Sequence, residues 1–316
     1  MVKKKKNLNK KSILVTGGSG FIGAAIVKYL VKEGHNVTVF DNNSRGKLSR
    51  LKHISNQIEF IKGDIRDYKS LLRIRKKIDT VIHLAYINGT KFFYQKPYEI
   101  LDIAANGLIN VLNFTNIQKV KQIFLASSSE VYQNPLRIPT REDEMLKIPD
   151  IHNPRYSYGG GKIFSELYGI HFAKKFKKKL IIFRPHNVYG RNMGNEHVIP
   201  EFIRKFKKLK NKKILRILGN GNEIRSFIYI DDFISGFDKI FKKGRNQNIY
   251  NIGTSEQIKI KDLVNLMSKI LNKKVRVQKT KLLKGSPTIR CPDIYKIKKL
   301  GFKQKISLKE GIKRVL

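Results

Sequence analysis

The chain is short of acid. Its 316 residues carry 24 Asp and Glu against 66 Lys and Arg, a formal net charge of +42 at neutral pH. An excess of that size raises nucleic acid and anionic membrane surfaces as partners. The distribution argues against both. Lysine is scattered along the whole length together with abundant Asn and Ile, as a compositional bias produces, and only the start, residues 1–10 with the run KKKKNLNKK that ends at Lys11, forms a concentrated basic arm. The basic residues are not interleaved with the aromatic motif that marks RNA-binding sheets. Nucleic acid is therefore not the expected partner, although a positive field helps to draw in an anionic nucleotide.

Cysteine is nearly absent. Cys291 stands alone, which excludes an internal disulfide, suits a reducing compartment and sets the expectation of a cytoplasmic protein. No apolar run approaches the ~20 residues of a membrane helix. The basic start leads into LVTGGSG rather than an apolar cleavable core, so it does not read as a signal peptide. There is no internal repeat, and no metal site is assigned. A chain of this length buries roughly three quarters of its unfolded surface, enough for one large α/β unit or two closely joined domains.

Glycine is placed where it counts. Ser12–Thr16 is a short β-prone run, followed directly by Gly17-Gly18-Ser19-Gly20-Phe21-Ile22-Gly23. Phe21, Ile22, Ala25, Ile26, Tyr29 and Leu30 then recur at helical spacing until Gly34. A strand, glycine turn and helix in that order form a dinucleotide site. Gly17 permits the tight turn, Gly20 lets a pyrophosphate approach the backbone, and Gly23 lets the helix lie close on the strand. The helix N-terminus offers unpaired N–H groups to phosphate. Residues 37–40 make the next strand, ending at Asp41. A carboxylate there accepts hydrogen bonds from the adenosine ribose and repels a 2′-phosphate, which favours NAD over NADP. Its ordinary alternative is a turn cap, and Arg45 nearby pulls towards NADP.

Ile58–Lys62, 80–84 and 123–126 read as further strands. Asp64 follows the first, where a side chain can meet the adenine edge or simply form a turn. Ala85 follows the second, its small side chain leaving room for a cofactor. Ser127-Ser128-Ser129-Glu130-Val131-Tyr132 follows the third. Ligands of open parallel sheets bind beyond the carboxyl ends of strands, and all these motifs sit there.

The run Tyr158-Gly159-Gly160-Gly161-Lys162 pairs a phenol with an ammonium one helical turn away. A tyrosine titrating near pH 10 is a poor base at neutral pH. A neighbouring positive charge favours the phenolate and brings it into a working range. Tyr156 has no lysine at that offset.

TGGSGFIG, FDNNSRG, GDIRD, HLA, SSSEVY, YSYGGGK and RPHNVYG occur in the order seen in extended short-chain dehydrogenases/reductases. The chain resembles the NAD-dependent nucleotide-sugar epimerase/dehydratase family from about residue 13 onwards. The resemblance implies that Tyr158 takes a proton from a sugar hydroxyl as hydride leaves the same carbon. It implies that Lys162 holds the nicotinamide ribose and that Ser128 hydrogen-bonds the reacting oxygen. NAD contacts are implied for Gly17, Gly20, Phe21, Ile22 and Gly23, for Asp41, Asp64 and Ile65, and for Leu84, Ala85 and Pro185 beside Tyr158 and Lys162. Asn187, Arg225 and Arg290 match positions that hold a nucleotide diphosphate, with Val198 bordering the sugar pocket. Guanidinium forks suit paired phosphate oxygens. Ala104 departs from the pattern, standing where the family places an asparagine that supports the active site.

The family's reactions share a 4-keto intermediate and then diverge. Glu130 stands two residues before Tyr132, where dehydratases and decarboxylases often have glutamate. A carboxylate beside a ketone's α-carbon is a suitable base. The expected function is therefore a 4,6-dehydratase or uronate decarboxylase acting on a nucleotide-diphosphate sugar, the alternative being a 4-epimerase. Two further readings are a non-catalytic nucleotide- or nucleic-acid-binding protein and a simple alcohol dehydrogenase. The expected architecture is α/β. A doubly wound, mainly parallel Rossmann sheet covers residues 11–185, and a smaller mixed α/β substrate-binding part covers 186–316. Some later chain, 227–230 included, is expected to return to the first sheet. The resemblance also implies a homodimer through helices within 97–118 and 157–176, with Phe164, Leu167 and Phe172 as contacts.

Overall fold

The computed structural model describes residues 10–194, 196–209, 214–282 and 284–316. Seven strands form one sheet in which every neighbouring pair is parallel: β1 (Ser12–Thr16), β2 (Asn36–Asp41), β3 (Ile58–Lys62), β4 (Thr80–His83), β5 (Gln122–Ala126), β6 (Lys179–Pro185) and β7 (Asn248–Ile252). Their order across the sheet is β7-β6-β5-β4-β1-β2-β3. The chain winds outwards from β1 in one direction, then from β4 in the other. Between those two strands it leaves a crevice at their carboxyl ends.

The strand sequences show why both faces are covered. Successive side chains of a strand point to opposite faces. Ile13, Val15, Val37, Val39, Ile82, Phe124, Ile181 and Phe183 fall into one core, against helices α1 (Phe21–Lys32) and, further along, the helix Ile230–Lys243. The residues between them fall on the other face. Leu14, Phe40 and Val81 meet Val111 and Phe114 of the helix Leu108–Ile117, and Ile123, Leu125, Leu180 and Ile182 meet Phe172 and Ala173 of helix α2 (Tyr156–Lys175). Strands apolar on both faces can be stable only between two helical layers.

The chain beyond β6 contributes to both parts. Asn248–Ile252 extends the large sheet beside Lys179–Pro185, so the return of later chain to the first sheet runs through β7. Residues 227–230 take another place: Ile228–Tyr229 pairs with Val188–Tyr189 in a separate two-stranded ribbon. Smaller pieces complete the substrate side. Ile224–Ser226 lies between Gln257–Lys259 and Ile289–Arg290, and Ile214–Leu218 pairs with Arg276–Thr280. Helix α3 (Val198–Lys208) packs there through Ile199, Phe202 and Phe206.

A buried polar network fixes the helix that carries the tyrosine and lysine. Arg184 on β6 is 1% exposed and donates to both Glu166 oxygens of α2 at 2.8 and 2.6 Å. It also donates to the Tyr132 hydroxyl at 2.7 Å, which in turn donates to Asn251 on β7 at 2.8 Å. A fully satisfied network of this kind holds α2 at one angle to the sheet. On the outer face of α2, Leu167 and Phe164 are 59% and 36% exposed, whereas Phe172 is 6% exposed and belongs to the core. Phe172 is therefore removed from the contact surface expected from the sequence. Among the described residues no helix is long and apolar enough to cross a membrane.

Candidate active site

A cleft of about 790 Å³ opens at the carboxyl ends of β1 to β6 and continues between the sheet and the later chain. Every residue named above for coenzyme or substrate lines it, from Gly17 to Arg290.

The glycine turn is shaped by two close approaches. Gly17 has φ +73°, in the left-handed region, and a Cβ there would lie 2.6 Å from the Ala85 nitrogen. A Cβ on Gly23 would overlap the Gly17 carbonyl oxygen, so α1 can approach β1 only with glycine at this position. The α1 N-cap, Gly20, brings no side-chain hydrogen bond, and the first turn holds no acidic residue. Its free N–H groups therefore face the cleft with the positive end of the helix dipole behind them, which suits a pyrophosphate.

The Asp41 carboxylate at the end of β2 accepts from the Ser19 amide at 3.0 Å and the Asn43 amide at 2.8 Å. It thus caps the turn while it lines the cleft. Arg45 is spoken for. Its Nη2 lies 2.9 Å from Glu196 Oε2 and its guanidinium 4.3 Å from the Phe92 ring centroid. Asp64 accepts from the Arg66 backbone and guanidinium and from Asn42, and Arg66 draws its pKa down to about 2. The carboxylate is thus tied to its own turn.

Tyr158 is 4% exposed, stacked on Phe93 at 4.6 Å between centroids. Burial pushes its phenol above the ordinary value, the Ser128 hydroxyl pulls it back, Glu130 raises it and Arg290 lowers it. Ser128 itself accepts from the Glu130 amide at 3.2 Å and starts the turn Ser129–Tyr132. Lys162 shares the cleft-facing side of α2, but its Nζ donates to the Ala126 carbonyl at 2.8 Å and lies 6.0 Å from the Tyr158 ring centroid. Burial lowers its pKa to about 7, with Glu166 opposing. The groups that shift the phenol, besides burial, are Ser128, Glu130 and Arg290.

Glu130 faces three guanidiniums. Arg290 Nη1 donates to Oε1 at 2.9 Å and Nη2 lies 2.9 Å from Oε2, while Arg155 Nη2 stands 3.5 Å from Oε2. Burial raises the Glu130 pKa, yet the charges of Arg290, Arg155 and Arg225 outweigh it and hold the carboxyl below its usual range. Arg225 donates to the carbonyls of Ile224, Thr288 and Pro287. Burial and then Arg290 lower its pKa to about 10. The diphosphate clamp expected of Arg225 and Arg290 is therefore closed on protein acceptors here. Arg155 Nη1 and Arg290 Nε are buried without a partner among the described residues. Asn187, at φ +39°, donates from Nδ2 to the Ser226 carbonyl at 2.9 Å, and Val198 opens α3 at the rim of the cleft.

The sequence profile of the NAD dependent epimerase/dehydratase family matches residues 13–253. The chain belongs to this family. Among its relatives is a UDP-N-acetyl-alpha-D-glucosaminuronate decarboxylase of Bacillus cytotoxicus, 30% identical, with 97% of each chain covered. A human dTDP-D-glucose 4,6-dehydratase is 29% identical over 97% of this chain and 89% of its own. The crystal structure of a Thermotoga maritima UDP-glucose 4-epimerase with UDP-glucose superposes with a TM-score of 0.87 at 28% identity, covering 96% of this chain and 97% of the other.

As a member of the family the chain is an enzyme, and its coenzyme is NAD. The residues fit that coenzyme. The uncapped α1 N-terminus suits the pyrophosphate, and Asp41 lines the cleft at the expected ribose position. Arg45, the residue that argued for NADP, is occupied by Glu196, whose charge would repel a 2′-phosphate. Several residues of this family site escaped sequence reasoning: Arg155, Glu196, Phe93 and Tyr86. None belongs to a local pattern, and each reaches the cleft through contacts distant in sequence. The nearness of Arg155 to Tyr158 and of Tyr86 to Ala85 along the chain was the available signal.

Proposed function

We propose that this enzyme oxidises a nucleotide-diphosphate sugar at carbon 4 and uses the resulting ketone to break a bond at carbon 5 or 6, with uronate decarboxylation as the favoured outcome. Tyr158 takes the hydroxyl proton, Ser128 holds the oxygen as it becomes a carbonyl, and Lys162 binds the nicotinamide ribose. Bound NAD supplies the hydride acceptor and returns hydride at the end of each cycle. The observation that carries the reading is the charged cluster in the cleft, where Glu130, 13% exposed at the side chain, is held as a carboxylate by Arg290 and Arg155.

A dehydratase needs a base for the carbon 5 proton and an acid for the departing hydroxyl. Ionised Glu130 serves as the base, but neither it nor Ser129 is an acid at neutral pH. A 4-keto uronate is a β-keto acid, which loses carbon dioxide without protonation of a leaving group. The unpartnered N–H groups of Arg155 and Arg290 suit a second substrate anion. A 4-epimerase is the second reading, favoured if the Glu130–Arg290 pair is purely structural.

The test offers the purified enzyme UDP-glucuronate, UDP-glucose, dTDP-glucose and GDP-mannose and reads the products by NMR. Carbon dioxide and a pentose nucleotide from UDP-glucuronate alone are expected. A carbon 4 epimer with neither water nor carbon dioxide lost would remove Glu130 from the chemistry. Binding of DNA or RNA at physiological salt without turnover of any sugar would return the non-catalytic reading.

We further propose a homodimer that works in the cytoplasm. Tyr98 and Leu101 on the helix Pro97–Asp102 are 78% and 46% exposed, and Leu167 on the adjoining α2 is 59% exposed, an apolar surface suited to a second copy. Sedimentation should give twice the chain mass, and Leu167→Asp should give one. A monomeric wild type would refute the dimer. Cell fractionation tests the compartment.

A further inference from the structure

Tyr86 follows Ala85 just beyond β4, and its side chain enters the catalytic end of the cleft. Lys162 Nζ lies 3.8 Å from the centroid of its ring. The same ring meets that of Tyr158 edge-on, 5.1 Å away at 87°. Two small neighbours make the space. A Cβ on Gly161 would overlap the Tyr86 hydroxyl and come within 2.8 Å of the Ala104 methyl. Ala104 sits in the π-helical turn Ile103–Gly107, at the position where the sequence resemblance expects an asparagine.

Lys162 is 3% exposed, and among the described residues the one hydrogen-bond acceptor for Nζ is the Ala126 carbonyl. An ammonium has three donors, so beside the Ala126 carbonyl and the ribose assigned to it, Nζ turns charge to the π face of Tyr86. The other titratable or charged groups facing it are Tyr158, Glu166 and His83. Glu166 is committed to Arg184. His83 bonds the Thr16 hydroxyl at 2.8 Å and is held neutral, burial and the lysine charge lowering its pKa to about 3.

We propose that Tyr86 is a positioning residue for the proton-transfer pair: its aromatic face holds Lys162 in place and favours its charged form, in the space where an amide at 104 would otherwise support the site. The inference rests on the reading of Tyr158 and Lys162 as that pair. An aromatic face attracts an ammonium and not a neutral amine, and the attraction is strongest where water is excluded. Burial lowers the Lys162 pKa to about 7, with Glu166 opposing, and the π contact works on the side of the charged form.

The experiment reads the lysine directly. Protein carrying 13Cε-lysine is titrated by NMR, the Lys162 resonance being assigned as the one lost in Lys162→Arg. Tyr86→Leu should lower the lysine pKa by roughly one unit, whereas Tyr86→Phe, which keeps the ring, should leave it in place. Fluorinated phenylalanines at 86 weaken the face without changing its shape and should lower the pKa stepwise. They decide the matter if circular dichroism shows Tyr86→Leu unfolded. Equal lysine pKa values across the series would overturn the proposal.

Turnover of UDP-glucuronate gives the functional readout. A lysine that works as a cation loses activity as pH rises through its pKa, so Tyr86→Leu should bring that loss to lower pH by the same interval. No turnover in the wild type would count against the reaction class alone, because the lysine titration needs no substrate.

Discussion

Replacing Glu130 with Gln removes one charge and keeps the shape. The carboxylate meets Arg290 at 2.9 Å through each oxygen and Arg155 at 3.5 Å. At an effective dielectric constant of about 20, one such contact is worth roughly 6 kcal/mol before desolvation is counted. Removing one partner of a buried pair costs about 3–5 kcal/mol net. Glu130 and Arg290 are 13% and 12% exposed at the side chain and border the cleft, so water and ions relieve part of the loss. About 3 kcal/mol is expected. With 316 residues and an unfolding entropy of about 2 cal/mol/K per residue, the melting temperature at pH 7 should fall by roughly 5 °C.

The pH dependence has a definite sign. Burial raises the Glu130 pKa, but the arginines win and the folded value lies below the unfolded one. The stabilisation is complete above the unfolded value of about 4.3 and is lost as pH falls through the folded value. Calorimetry of both proteins from pH 7 to acid should show the gap closing below the carboxylate range. UDP should raise the melting temperature more in the variant, because its diphosphate meets guanidiniums that Glu130 has released. Equal melting temperatures at pH 7, or a gap that acid leaves unchanged, would refute the claim that these arginines hold a carboxylate.

Tyr158→Phe should cut turnover by at least 100-fold, in line with loss of a general base, while NAD stays bound by fluorescence titration; retained turnover would assign the base elsewhere. Gly23→Ala drives a methyl into the Gly17 carbonyl, and overpacking of this kind costs about 1–3 kcal/mol. Denaturant unfolding should show that loss together with weakened NAD binding. Asp41→Ala frees the Ser19 and Asn43 amides and removes the proposed ribose acceptor. Calorimetric titration should show NAD affinity falling about tenfold, equivalent to one charged hydrogen bond, with the preference over NADP narrowed.

What could be read from the chain was what short-range pattern encodes. Gly17, Gly20 and Gly23 follow a strand and open a helix, so their roles are written within a dozen residues. Tyr158 and Lys162 share a face because four positions make one helical turn. The strands of the large sheet alternate between two cores, and their apolar residues say so. β7 was harder. Ile228–Tyr229 is as apolar as Asn248–Ile252, and no local feature tells which of two short strands finds the edge beside β6.

The sequence by itself determined the coenzyme turn, the tyrosine–lysine spacing and the doubly wound plan, because each depends on neighbours a few bonds apart. Tertiary structure alone decided the charge of the site. Residues 130, 155 and 290 converge into one ion-pair cluster, Arg45 finds Glu196, and Lys162 comes to rest on the face of Tyr86. The physical reason is that burial and Coulomb energies depend on distances in space, which spacing along the chain does not fix.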